Sequence, residues 1–157
     1  PKAGLSIHWL IYGDSGHKNK TDGLIIERFT KHSTKQFERN SFYKSIVNPR
    51  LVFKMWVHSA IYLGNFVAIN EKKQKVKRNA QSKPVCCDKI RINHYWGKSY
   101  EEFLTKQKRG YPEDKENISS IIDSAFVYNN RNDIEDNITM QKYIKPIKEN
   151  LKKRKLL

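Results

Sequence analysis

Residues 90–110, Ile-Arg-Ile-Asn-His-Tyr-Trp-Gly-Lys-Ser-Tyr-Glu-Glu-Phe-Leu-Thr-Lys-Gln-Lys-Arg-Gly, constrain the fold more than any other stretch, because a strand pattern runs directly into a capped helix. Ile90, Ile92 and His94 share one face of a period-two alternation, which places His94 at the end of a strand on the side its apolar neighbours bury. Ser99 and Glu102 have the spacing of a capping box. Tyr100, Phe103 and Leu104 supply a helical stripe, and Gly110 with Pro112 marks the stop. Backbone N–H groups at such a start, with Lys98 one residue before the cap, form a site suited to a diphosphate or another anion.

Elsewhere the pattern alternates α and β. Residues 5–12 read as a strand, 13–20 as a polar Gly-containing loop, and 22–32 as a helix with Leu24, Ile25, Arg28 and Phe29 at helical spacing. Strands are expected over 44–47 and 51–58, separated by the Asn48-Pro49 turn, and again over 62–70. Residues 71–78 are strongly basic and read as an exposed hairpin tip or loop. Ile118, Ile121, Ile122, Ala125 and Phe126 mark one further helix. Ile134 and Ile138 start another that leads to Ile144, where Pro146 must kink or restart it.

A length of 157 residues suits one domain with a modest core, followed by a basic tail over 145–157. The net charge of +15 favours anionic partners such as nucleotide diphosphates, nucleic acid or an acidic membrane surface, although a lysine-, asparagine- and isoleucine-rich composition also yields plain solvated charge. No run of 18 apolar residues is present. Cys86 and Cys87 are adjacent, cannot form an ordinary disulfide with each other and have no second pair for a metal site. The expected setting is therefore a reducing cytoplasm, with a peripheral position at the inner face of the membrane as a variant of it.

Several segments, in order, resemble bacterial glycosyltransferases of the family 2 and family 92 type, enzymes of the GT-A fold. Asn93-His94-Tyr95, Lys98-Ser99 and Glu101-Glu102-Phe103 resemble the family's C-terminal signature, and Trp9-Leu10-Ile11-Tyr12-Gly13-Asp14-Ser15-Gly16-His17 its tryptophan, Phe-Gly-Ser-Ser-Gly-His stretch. Residues 22–30, Lys44-Ser45-Ile46-Val47-Asn48-Pro49, and Asn132-Asp133-Ile134-Glu135-Asp136 with Met140 and Tyr143 resemble further segments of it. Tyr12 and Asp14 depart from the usual Phe and Ser, and His8 stands where Asn is common. The resemblance implies an α/β fold, namely the C-terminal, acceptor-side part of a Rossmann-like GT-A domain with a mixed sheet and flanking helices. Such enzymes hold the nucleotide-sugar and metal with an upstream Asp-x-Asp motif that these residues lack. The expectation is therefore a C-terminal portion of a longer protein, inactive in isolation.

By that resemblance the protein transfers a sugar from a nucleotide-diphosphate donor to a glycan hydroxyl, with inversion, in polysaccharide or glycoconjugate synthesis. A divalent metal, Mn or Mg, is expected in the full-length enzyme, and His94 is the implied protein ligand in this portion. Lys98 and Ser99 would meet the donor diphosphate, where Lys98 neutralises charge on the leaving group. Trp9, Gly13, His17 and Trp96 are candidates for the acceptor: a tryptophan can stack on a sugar and His17 can hydrogen-bond hydroxyls, while Trp9 also has the parity of a core residue. Glu27 is the candidate general base, with an ion pair to Lys31 as the competing reading. Asp133 and Asp136 are the reserve bases. They belong to an acidic stretch over 111–137 that equally suits a helix first turn. The alternatives are a basic nucleic-acid-binding module, supported by the charge and by Tyr95, Trp96 and Tyr100 near Arg91 and Lys98, and a catalytically inactive fragment.

Overall fold

The computed structural model describes residues 1–76, 80–110 and 119–154. In chain order the elements are β1 (Lys2–Ile11), α1 (Ile25–Arg28), β2 (Lys31–His32), β3 (Tyr43–Val47), β4 (Val52–Met55), β5 (Ala60–Tyr62) and β6 (Val67–Ile69). They continue as β7 (Lys75–Val76), β8 (Ile92–His94), α2 (Tyr100–Lys108), α3 (Ser119–Asn129), β9 (Ile134–Glu135) and α4 (Gln141–Lys153). The chain is thus mixed α/β. It divides into two compact units, Pro1–Leu10 with Thr34–His94 and Ile11–Ser33 with Tyr95–Leu157.

The first unit is built on a mixed five-stranded sheet in which β1 is central. β1 runs antiparallel to β3, with Gly4 opposite Val47 and His8 opposite Tyr43, and parallel to β6. β7 extends the sheet antiparallel to β6, and β8 also pairs with β1. A central strand is covered on both faces, so β1 buries not only Ile7 and Trp9 but also Ser6, His8 and Leu10 on the opposite parity. His8 is satisfied there: its Nδ1 accepts the Cys86 N–H at 3.3 Å, which leaves Nε2 as the protonated nitrogen that donates to the Ser82 carbonyl at 3.0 Å. Ala3, Tyr43, Ala60, Tyr62, Ala68 and Val76 form the core of this unit.

The segment expected as one strand over 62–70 is two, because Gly64 at φ +49° and a Phe66 N–H to Leu63 carbonyl bond turn the chain between β5 and β6. Likewise the expected strand over 51–58 ends at Met55, where Trp56 donates to the Ser59 carbonyl and closes the β4–β5 hairpin. Residues 71–76 do form a hairpin turn leading into β7, while 77–79 lie outside the described residues.

The second unit holds the helices and an aromatic core. Trp96 lies on Phe103 at 5.1 Å, Phe103 on Phe126 at 5.0 Å and Tyr12 on Tyr95 at 4.8 Å, and Phe103, Phe29 and Tyr12 are fully buried. α2 starts where its capping box places it, with the Ser99 hydroxyl accepting the Glu102 N–H. The helix expected over 22–32 is only the single turn α1. The Ser15 hydroxyl takes the Thr30 and Lys31 N–H groups at 2.9 and 3.0 Å, and β2 then pairs antiparallel with β9. A tertiary acceptor outcompetes helical continuation here. The helix expected from Ile134 is corrected in the same way: Ile134 and Glu135 are strand, and α4 begins at Gln141 and runs through Pro146. Ile118 lies outside the described residues. The basic stretch from 145 is therefore largely the second half of α4.

Candidate functional site

The turn after β1 is fixed by an amide clasp within the second unit. The Asp14 carboxylate accepts from Asn130 Nδ2 at 2.8 Å, Asn132 Nδ2 at 2.9 Å and its own loop's Gly16 N–H at 2.8 Å. In return Asn130 and Asn132 accept the N–H groups of Asp14 and Ser15 at 2.7 and 2.8 Å. Gly13 lies against the same strand of chain, where a Cβ would come within 2.5 Å of the Arg131 carbonyl oxygen and meet Asn132 Oδ1. That contact, rather than access for a ligand, is what requires glycine here. The clasp joins positions more than a hundred residues apart, and its only mark in the sequence is the run Asn129-Asn130-Arg131-Asn132.

Beside the clasp is a crevice of about 140 Å³ including its open mouth, lined on one side by Tyr12, Gly13 and Asp14, on another by Trp96, Gly97 and Lys98, and closed by Phe126, Asn129 and Asn130. Its enclosed space is too small for even a water molecule, so it is a surface cleft that could meet the edge of a ligand and not a formed pocket. Lys98 occupies a left-handed backbone position, φ +59°, and its side chain is partly exposed. Its ammonium lies 3.9 Å from Glu102 Oε1.

Glu102 is the electrostatic centre of this region. Burial alone would raise its pKa, but a two-pronged bond from Arg28, at 2.8 and 3.1 Å, and the Ser99 hydroxyl at 2.9 Å hold the carboxyl down at about 2. The start of α2 is consequently occupied by its own chain. The Glu101 N–H donates to the Lys18 carbonyl at 3.1 Å, the Glu102 N–H to the Ser99 hydroxyl and the Phe103 N–H to the Ser99 carbonyl. An anion bound at this terminus would have to compete with a carboxylate and a carbonyl already seated there. Ser99 is fully buried with its hydroxyl engaged in the cap, so the group presented to the crevice is Lys98.

The remaining candidates fall in separate places. Trp9 and His94 belong to the first unit, where Trp9 is 6% exposed, stacks on Phe42 at 5.5 Å and receives the edge of His94 at 4.3 Å, and its indole N–H donates to the Arg39 carbonyl at 2.6 Å. His17 sits edge-on to Phe29 at 5.7 Å, and Trp96 carries Lys106 over its ring at 5.2 Å. Glu27 pairs with Lys148 at 2.5 Å, not with Lys31. That ammonium and the Leu24 N–H hold its pKa below the usual range and so reduce its strength as a base. Asp136 accepts the Tyr12 hydroxyl at 3.1 Å and the Thr139 N–H at 2.9 Å, which ties it to the turn before α4. Asp133 is exposed on the loop leading to β9. Among the described residues, no three His, Cys, Asp or Glu side chains converge as a group that could hold a metal ion. No helix among the described residues is long and apolar enough to cross a membrane.

Comparison with protein-family models, with curated proteins and with solved structures finds no match for this chain.

Proposed function

We propose that the chain is the acceptor-side portion of an inverting glycosyltransferase that uses a nucleotide-diphosphate donor, the Asp-x-Asp half being supplied by residues outside these 157. The observation that carries this reading is convergence. Tyr12, Gly13 and Asp14 of one segment that resembles the family and Lys98 of another line one crevice, and the bond from Asn132 to Asp14 brings a third resembling stretch against the first. In this role Lys98 supplies positive charge to the departing diphosphate, where charge develops as the glycosidic bond breaks. The base that deprotonates the acceptor hydroxyl is a carboxylate of the same unit. The candidates are Glu27, Asp133 and Asp136, of which Glu27 is weakened as a base by its pairing with Lys148.

The competing reading, a nucleic-acid-binding module, draws on the net charge of +15. Filter binding to single-stranded DNA and RNA separates the two. A transferase retains nucleic acid weakly and without sequence preference, whereas phosphate-dominated recognition weakens by about 10³-fold or more between roughly 50 and 200 mM salt from a tight starting point. Tight retention with that steep slope would replace the transferase reading with the nucleic-acid one.

A further inference from the structure

The β4–β5 hairpin and the outer face of β3 leave a group of large apolar side chains in solvent. Phe53 is 72% exposed, Met55 50%, Trp56 55% and Val57 74%, and Ile46 on β3 is 60% exposed. Scattered surface hydrophobes need no explanation, but four within five consecutive residues concentrate exposed apolar surface on one hairpin. The tip is held firmly. Trp56 donates to the Ser59 carbonyl at 2.8 Å, Ser45 donates to the His58 carbonyl at 3.0 Å, and the His58 ring packs inward on Trp9 at 5.4 Å. The inward-facing tip residue thus fixes the turn, and its neighbours Trp56 and Val57 are turned outward.

The charge around this patch has one sign. From Arg39 to Asn70, 32 residues, there is no Asp or Glu, while Arg39, Lys44, Arg50 and Lys54 are all present. Lys44 Nζ reaches the Val57 carbonyl at 3.5 Å, and Lys54 Nζ lies 4.4 Å over the Trp56 ring, so the bases border the apolar tip itself. Tryptophan with lysine at its face suits the headgroup layer of a bilayer, where the ring is half buried and the ammonium stays among phosphates.

We propose that this hairpin docks the protein on an anionic lipid surface, with Phe53, Met55, Trp56 and Val57 entering the headgroup and upper acyl region and Lys44 and Lys54 meeting lipid phosphates. Charge complementarity selects the anionic bilayer. A protein partner would need an acidic rim shaped around a projecting apolar tip, whereas a bilayer offers anionic headgroups over hydrocarbon without a matching shape. This docking is independent of the transferase reading and stands or falls separately from it.

Co-sedimentation of the purified chain with vesicles of phosphatidylcholine alone, and of phosphatidylcholine mixed with phosphatidylglycerol, tests the proposal. The expected result is binding to the mixed vesicles only, weakened by salt and accompanied by a blue shift of tryptophan emission. The double variant Trp56→Ser, Val57→Ser should bind about 20-fold more weakly or worse. Lys54→Gln and Lys44→Gln should each cost about five-fold. Because these side chains are exposed, all the variants should melt with the native protein. Absence of binding to the mixed vesicles overturns the proposal, as does binding that the tip variants leave unchanged. Self-association lost in the tip variants, without vesicle binding, would assign the patch to contact between copies of this chain instead.

Discussion

Glu102→Ala should destabilise the second unit by about 3–5 kcal/mol, the cost of leaving a buried guanidinium without its carboxylate. The Arg28 side chain is only 8% exposed and its two terminal nitrogens both bond Glu102, so no solvent contact replaces the lost partner. The double variant Arg28→Met, Glu102→Leu should recover much of the loss, because an apolar pair of similar volume avoids the desolvation of two ions. Acid titration supplies a second signature. The Glu102 pKa falls from 4.5 unfolded to about 2 folded, so the pair's contribution is fully present above about pH 4.5 and is lost as pH drops toward 2. Chemical denaturation at neutral pH and through that window measures both effects. A Glu102→Ala loss below about 1 kcal/mol would mean that the pair is solvated and contributes as little as an ordinary surface bridge.

Trp9→Ala should cost the first unit about 3–5 kcal/mol, as expected for removing a buried aromatic ring. The ring is in contact with Phe42, His58 and His94, and its N–H is one of two donors to the Arg39 carbonyl, the other being the Phe42 N–H at 3.3 Å, so truncation opens a cavity and removes one hydrogen bond. Trp9→Phe should lose only about 0.5–1.5 kcal/mol, chiefly for the lost hydrogen bond to the Arg39 carbonyl. Thermal melts of the two variants decide between a core residue and a sugar platform: if Trp9 served mainly as a stacking surface, alanine would leave the melting temperature nearly unchanged.

The parts of this fold legible from sequence are those whose signals are local. The Ser99 and Glu102 spacing predicts the start of α2, and the same two side chains make the cap. Residues 5–12 and 44–47 read as strands and fall on β1 and β3, and Ile92 and His94 of the expected third strand fall on β8, whereas Ile90 precedes β8 and is 40% exposed. The parts that were not legible depend on partners far away in sequence. Nothing near residue 22 announces that the Ser15 hydroxyl will take two N–H groups and end α1 after one turn. Nothing near residue 134 announces that Ile134 will pair with His32.

The site shows the same limit. The acidic stretch reads equally as helix capping or as an acceptor-side cluster, yet Asp136 holds Tyr12 and a turn, while Asp123 accepts the Tyr100 hydroxyl at 2.6 Å. Glu102 is recognisable as a cap from its spacing. Its second partner, Arg28, is 74 residues away and changes the start of α2 from an open anion site to one already neutralised. Lys98 stands out at both levels, as the base preceding a cap and as the ammonium lining the crevice.

The most direct test of the transferase reading is release of nucleoside diphosphate from a panel of nucleotide-sugars, with manganese present, by the polypeptide of the whole reading frame, native and Lys98→Ala. The expected result is consumption of at least one donor by the native protein and a loss of about 100-fold in turnover for Lys98→Ala, the size of effect seen when one electrostatic group at a developing charge is removed, with the melting temperature unchanged. Consumption of no donor, or equal consumption by the two proteins, would contradict it.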